Sequence, residues 1–364
     1  MKLSVNKDKF LKAIQKVINI IGSRSTLPVL SNVLLEAEDN KLTLTTTDLE
    51  IRITTQVDAS IARPGKTTVP AKKLYALVSK FIGEEVCLDC NDNHHIEIDC
   101  GTSKFKLLGL AADDFPIPVE FILQRQIKLN ESDLRKMLDQ ISYAVSLDDT
   151  RKVLHGILWS VKENTVTAVA TDGKRLALVE RVPDYFNGTE GDTIIPLKAA
   201  NEIKRLLDGE GVVNLEIGEK QACFKTDTVN LTTKLIEGNY PNYRQVIPAS
   251  FSKVINVPTV PLLAKLELVS LALSDSSSYI ILSFNEDKIN LQASSSNIGE
   301  GNDYLDIEYK DNKIDISFNP TFLADPLKHS DSDKIKLKIN DGFSPVAIEG
   351  GEGFMYVIMP MRNR

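Results

Sequence analysis

Apolar residues recur along this chain with two different periods. Phe10, Leu11, Ile14, Val17, Ile18 and Ile21 are spaced i, i+1, i+4, i+7, i+8 and i+11, one stripe of a 3.6-residue helix. Leu134, Met137, Leu138, Ile141 and Val145 form a second stripe. Leu74, Leu77, Val78 and Phe81 form a shorter one, as do Leu197, Ala200, Ile203 and Leu207. Residues 258–273 are apolar nearly all round, and 319–329 make a sixth stretch, which Pro326 is expected to interrupt. Helices are therefore predicted over 7–21, 71–81, 130–146, 197–207, 258–273 and 319–329. Between them the period falls to two, with polar turns separating short strands.

The whole pattern then repeats. "NVLLEAEDNKLTLTTTDLEIRITTQV" (32–57) and "GILWSVKENTVTAVATDGKRLALVERV" (156–182) both read strand, polar turn, strand, Thr-Asp, strand. Their turns are Glu38-Asp39-Asn40 and Lys162-Glu163-Asn164, and Asp48 and Asp172 lie 124 positions apart. "YIILSFNEDKINLQASSSNIGEGNDYLDIEY" (279–309) is a third copy with a longer last connection. "GKTTVPAKKLYALVSKF" (65–81) is matched by "GDTIIPLKAANEIKRLL" (191–207), and "NKIDISFNPTFLADPLKH" (312–329) is their counterpart. "DDFPIP" (113–118) and "GNYPNY" (238–243) close the first two units. Several signals at one period predict an α+β fold of three similar domains, 1–121, 122–248 and 249–364. Each is expected to open on a helix and to pack two helices on antiparallel sheets. Strands and helices do not alternate one for one, which excludes a doubly wound nucleotide fold.

Charge changes this picture more than composition does. At 42% hydrophobic and 26% charged, the chain has an ordinary globular balance for its 364 residues. No apolar run approaches the roughly 18 residues of a membrane span, and "MKLSVNKDKFLKAIQKV" lacks a signal-peptide apolar core. A cytoplasmic protein with no membrane partner is expected. The net charge is −7, yet the six helical stretches hold 14 Lys and Arg against 7 Asp and Glu. Strands and loops therefore carry −14. Lys9, Lys12 and Lys16 fall within about 60° of one another, opposite the apolar stripe. Lys72, Lys73 and Lys80 lie off their stripe, and Lys198 and Arg205 oppose theirs. Basic helix faces suit the phosphate backbone without regard to sequence. The lack of interleaved aromatic residues favours a duplex over a single strand.

Candidate catalytic chemistry is thin. Cys87, Cys90 and Cys100 lie near His94 and His95, but "EEVCLDCNDNHHIEIDCG" reads as a hairpin in which Cys87 and Cys90 point to opposite faces. Free thiols fit better than zinc ligands, and no metal or cofactor is expected. No phosphate-binding loop, metalloprotease, esterase or kinase signature is present. "TDGKRLAL" (171–178) offers Thr171, Asp172 and Lys174 but no nucleophile with a positioned base. A binding protein is expected rather than an enzyme, with a protein-binding repeat scaffold as the alternative.

These segments carry a family likeness. "RSTLPVLSNVLLE" (24–36), "TTDLEI" (46–51), "ATDGKRLAL" (170–178), "EGNYPNYRQVIP" (237–248) and "YVIMPMR" (356–362) together resemble the bacterial DNA polymerase III β subunits, the sliding clamps, along essentially the full chain. The resemblance implies the DNA clamp fold and a head-to-tail homodimer. That dimer would close a ring around duplex DNA and tether the polymerase III catalytic subunit, the clamp loader and other clamp-binding proteins. It implies a peptide pocket walled by Leu154, Thr171, Gly173, Lys174, Arg175 and Leu176. Pro241, Arg244, Gln245, Val246 and Ile247 would join from the connecting segment. Phe343, Pro345, Val357, Ile358, Met359, Pro360, Met361 and Arg362 would join from the last domain. In this pocket Leu176 is expected to offer apolar surface and Arg175 a polar anchor. Lys12, Arg24, Lys72, Lys73, Arg151, Lys152, Lys198 and Arg205 are the DNA-facing candidates. The ring interface should pair the strand at Lys104, Phe105 and Leu107 with the helix end at Leu271 and Leu273.

Overall fold

The computed structural model describes residues 1–22, 27–148, 150–274 and 279–362. All six predicted helices form within them, but each repeat opens on a strand rather than a helix. In the first repeat β1 (Lys2–Asn6) leads into α1 (Lys7–Val17). There follow β2 (Asn32–Glu38), β3 (Lys41–Thr47), β4 (Ile51–Arg63), β5 (Gly65–Pro70), α2 (Ala71–Lys80), β6 (Glu85–Cys90), β7 (His95–Cys100) and β8 (Ser103–Leu108). The second repeat runs β9 (Leu123–Asn130), α3 (Glu131–Ile141), β10 (Gly156–Lys162), β11 (Thr165–Thr171), β12 (Arg175–Arg181), β13 (Tyr185–Gly188) and β14 (Gly191–Pro196). It ends with α4 (Leu197–Leu206), β15 (Val212–Gly218), β16 (Gln221–Lys225) and β17 (Val229–Lys234). The third runs β18 (Lys253–Pro258), α5 (Thr259–Ser270), β19 (Ile280–Asn285), β20 (Lys288–Ser295), β21 (Gly299–Asp306) and β22 (Ile314–Phe318). It closes with α6 (Pro320–Lys328), β23 (Lys334–Ile339), β24 (Val346–Glu349) and β25 (Phe354–Ile358).

Local chemistry explains why the three copies fold alike. The polar turns are two-residue hairpins whose central residues all have positive φ: 49° and 60° at Asp39 and Asn40, 50° and 56° at Glu163 and Asn164, 50° and 60° at Glu286 and Asp287. This is the type I′ geometry that matches strand twist, which Asn and Asp tolerate. Asn6 caps α1 by accepting from the Lys9 amide at 3.1 Å, and Asn319 caps α6 by accepting from Thr321 and Phe322. The long β4 is matched in the second repeat by two strands, β12 and β13, interrupted at Pro183, which cannot donate to a ladder.

Pro326 does not interrupt the last helix as expected, for α6 runs through it. A proline frees the carbonyl four residues earlier, here that of Phe322. The Tyr356 hydroxyl donates to this carbonyl at 2.7 Å and takes the place of the missing amide.

By contact density the chain divides into two compact units. The first comprises Met1–Leu134, Asp184–Thr189 and Lys198–Leu235, and holds a 13-stranded antiparallel sheet. Its main path runs β13-β9-β15-β16-β17-β4-β1-β6-β7-β8, with β3, β2 and β5 paired off β4 in turn. The second comprises Arg135–Pro183, Glu190–Leu197 and Ile236–Arg364. It holds an eight-stranded sheet, β14-β10-β11-β12-β25-β24-β23-β18, and a four-stranded sheet, β21-β20-β19-β22. The middle repeat thus lends strands to both units, a sharing that repeat counting along the sequence does not reveal. On β6, Val86, Leu88 and Cys90 point inward while Cys87 points out, the opposition expected of a strand, whereas β10 and β11 are buried almost throughout.

Candidate peptide-docking and nucleic-acid sites

The same joint is built once in each unit. In the first, Arg52 pairs with Thr232 and Ile51 with Thr233 as β4 meets β17, and the Lys234 amide donates to the Glu50 carbonyl at 2.9 Å. In the second, Leu176 pairs with Val357 and Arg175 with Ile358 as β12 meets β25, and the Met359 amide donates to the Lys174 carbonyl at 3.1 Å. Shifting by 124 positions in one strand and 125 in the other superimposes the two registers.

Each joint is entered by a Thr-Asp corner. Thr171 Oγ1 donates to the Arg175 carbonyl at 2.5 Å and accepts from the Gly173 amide at 3.1 Å. Asp172 Oδ1 accepts from the amides of Lys174 and Arg175 at 2.9 and 3.0 Å. Thr47 and Asp48 make the same four bonds to Ile51, Leu49 and Glu50. Polar side chains that looked like a reactive cluster are therefore turn-closing groups.

At the second joint an apolar cluster joins Leu158, Leu176, Leu178, Tyr243, Ala347 and Val357, with Tyr240 and Ile247 packed on it. Of the sequence-predicted pocket residues, Leu154, Leu176, Val357 and Ile358 are buried, and Leu176 and Val357 lie together in this cluster as its floor. Gly173, Lys174, Pro241, Arg244, Gln245, Val246, Phe343, Met359 and Arg362 are exposed around it. Thr171, Ile247, Pro345, Pro360 and Met361 are half-buried. Arg244 lies over the Tyr243 ring, 5.1 Å from its centroid, and Met361 is pinned by its amide to the Ser317 carbonyl at 2.7 Å. Phe343 is 80% exposed on a turn capped by Asp341, and Pro345 leads into β24, whose Val346 pairs with Ile358.

Two roles expected from sequence are revised. Leu176 is only 2% exposed, so it supports the site from below instead of offering surface. Arg175 is not an open anchor, because its guanidinium is spent internally. Nε bonds Asp172 Oδ2 at 3.0 Å, Nη1 pairs with Asp325, and Nη2 donates to the Tyr143 carbonyl at 2.6 Å. The ring of Phe322 lies beneath it at 4.2 Å. Burial disfavours this cation, but the carboxylates of Asp325 and Asp172 beside it oppose that cost, and its pKa is raised. Burial also drives the Tyr143 and Tyr356 hydroxyls up, keeping both neutral. Sequence could not reveal Asp325 as the partner, since it lies 150 positions away.

In the first unit α1, α2 and α4 lie together. Gln15 Nε2 reaches the Tyr75 hydroxyl at 3.4 Å, Asn19 Nδ2 reaches Glu202 at 2.6 Å, and Arg205 Nη2 reaches the Lys16 carbonyl at 2.8 Å. Lys12, Lys72 and Lys73 are exposed and form no ion pair among the described residues. Lys198 pairs with Asp48, and Arg205 pairs with Glu202, so the charge of these two DNA candidates is partly spent. In the second unit Lys152 is exposed, and Arg151 stands at the Thr-Asp corner: a Cβ on Gly173 would meet its Nη1 at 3.0 Å. Arg24 lies outside the described residues.

β8 and β21 are among the strands that end their sheets. β8 ends the first unit's sheet with Lys104 exposed, Phe105 46% exposed and Leu107 half-buried; the Phe105 ring packs tilted against Phe81, centroids 5.9 Å apart. In the second unit β21 ends its sheet, and Leu271, 74% exposed, follows α5 with Leu273 half-buried.

Comparison with known proteins matches this geometry. Residues 1–119 fit the DNA polymerase III beta subunit N-terminal domain, 128–242 its central domain and 244–362 its C-terminal domain. The chain belongs to the DNA polymerase III beta subunit family. It is 31% identical over 362 residues to the beta sliding clamp of Chlamydia muridarum, covering 100% of this chain and 99% of the relative. The crystal structure of the DNA polymerase III subunit beta from Pseudomonas aeruginosa superposes with a TM-score of 0.95 at 29% identity, both chains fully covered. The sliding clamp of Bacillus subtilis does so at 0.96 and 26%, again over both whole chains. The fold is therefore that of three DNA clamp domains, mixed α and β with antiparallel sheets.

Proposed function

We propose that this chain is a DNA sliding clamp: two copies close head to tail around a duplex, which then slides through while replication proteins stay tethered. The observation that carries the reading is the succession of three clamp domains whose first-unit helices expose Lys12, Lys72 and Lys73, none in an ion pair among the described residues. Backbone contacts of this kind are individually weak and sequence-independent, so they hold a duplex without stopping it. The terminal strand at Lys104, Phe105 and Leu107 and the segment after α5 at Leu271 and Leu273 are the surfaces that would meet between copies, and a heterologous contact that closes makes a ring. Domain boundaries at 1–121, 122–248 and 249–364 suit the connecting segments.

The second joint is the docking place for short peptides of the polymerase III catalytic subunit, the clamp loader and other clamp-binding proteins. Its buried floor and exposed Met359, Val246 and Pro241 make an adaptable apolar groove. The role is non-catalytic, since Thr171 and Asp172 are consumed in closing the turn. No helix among the described residues is long and apolar enough to cross a membrane, and the cytoplasm is the proposed compartment. The test is the mass in solution, expected near twice 40.3 kDa, together with retention on nicked circular but not linearised duplex after loading. A monomer, or equal loss from both DNAs, overturns the reading.

A further inference from the structure

The first joint, built to the same register as the second, encloses a cleft of about 1060 Å³. This exceeds what a small molecule needs and accommodates several residues of extended chain. Its apolar walls come from Leu49 and from the connecting segment, where Phe115, Ile117, Pro118 and Val119 line it. Ile117 is 85% exposed and Val119 66%, an apolar rim left open to water.

The floor differs from that of the second joint in one decisive way. Arg52 stands at the register position of Leu176, Thr232 at that of Val357, and Lys234 at that of Met359. The Arg52 guanidinium lies 5.5 Å from the Phe115 ring centroid and donates to the Pro116 carbonyl. Neither Arg52 nor Lys234 forms an ion pair among the described residues. Burial lowers the Arg52 pKa, and Glu36 offsets this only in part. A half-buried cation that no carboxylate contacts directly, and that Glu36 offsets only in part, gains from one that a guest supplies. The other lining cations are occupied: Lys225 pairs with Glu216 at 2.7 Å, and Lys66 with Asp113 at 2.7 Å. Glu36 and Glu50 also line the cleft without an ion pair, so a guest with several acids would be repelled.

We propose that this cleft is a second docking site, for a short extended peptide carrying a single carboxylate between apolar side chains. It takes its class of guest from the peptide reading of the second joint, and charge complementarity at Arg52 and Lys234 sets its preference. The two joints would then sort partners by what each presents at one register position, apolar or acidic.

The probe is the blocked peptide acetyl-Gly-Leu-Glu-Leu-Gly-amide, titrated calorimetrically into the full chain. Binding is expected with Kd below about 1 mM, weakened about tenfold by Arg52→Gln and by replacing the probe's Glu with Gln. Ile117→Asp should weaken it similarly, and because Ile117 is so exposed, that variant reports on the cleft even if Arg52→Gln loosens the fold. Affinity indifferent to Ile117→Asp and to the probe's charge overturns the proposal. So does no binding to the unmodified chain. Loss on Met359→Asp alone places the probe at the second joint, which overturns this site and leaves the proposed function standing.

Discussion

The corners at Thr47–Arg52 and Thr171–Leu176 share the four hydrogen bonds of their Thr-Asp pairs and differ in what they carry. At the third corner position Leu49 takes φ 77° and Gly173 φ 87°. At the fifth, Ile51 is a buried apolar side chain, whereas Arg175 gathers two carboxylates, a carbonyl and a ring. The Thr-Asp pair therefore encodes a shape, and the residues after it encode what the shape is for. One corner belongs to a joint with a cationic floor and the other to a joint with an apolar one.

The sharpest way to break the comparison is at Arg175. Arg175→Met should cost about 3–5 kcal/mol, because Asp325 and Asp172 would be left largely buried without a counter-charge. Equilibrium denaturation measures it, and combining the change with Asp325→Asn should recover part of the loss. A cost below about 1 kcal/mol would mean that Arg175 is dispensable to the corner. Peptide binding at the second joint should weaken as well, since Arg175 holds the strand that carries Leu176 to α6.

Next comes the shared skeleton. Thr47→Val and Thr171→Val each remove a hydroxyl that both donates and accepts, and each should cost about 1–2 kcal/mol. The two losses should agree within about 0.5 kcal/mol. A large inequality would show that the corners only look alike.

What the sequence disclosed follows the range of the interactions. The helices were legible because i, i+3 and i+4 spacing repeats many times in each. The leading strands were not, because five residues such as "KLSVN" alternate too briefly to outweigh the helix that follows. The continuation of α6 through Pro326 depends on Tyr356, thirty positions on, and the burial of Arg175 depends on Asp325. Local pattern carries no trace of either partner. The repeat itself was plain in the strands and turns, whereas the equal registers of the two joints emerged only from the pairing.

The smallest effect isolates the glycine. An L-residue with a side chain pays roughly 1–2 kcal/mol to adopt the left-handed region, and glycine avoids that penalty. Leu49 carries it because its side chain packs partly at the first cleft, being half-exposed rather than free. Leu49→Gly should relieve the strain but release that packing and enlarge the unfolded ensemble, leaving a net gain of about 0.5 kcal/mol or less. Gly173→Ala should run the other way by about 1 kcal/mol, with the Arg151 guanidinium 3.0 Å from the new Cβ and flexible enough to move aside. Opposite signs in thermal unfolding would show that both corners impose one backbone shape. Equal signs would mean that Leu49 is held by its packing and that the corner tolerates it without strain.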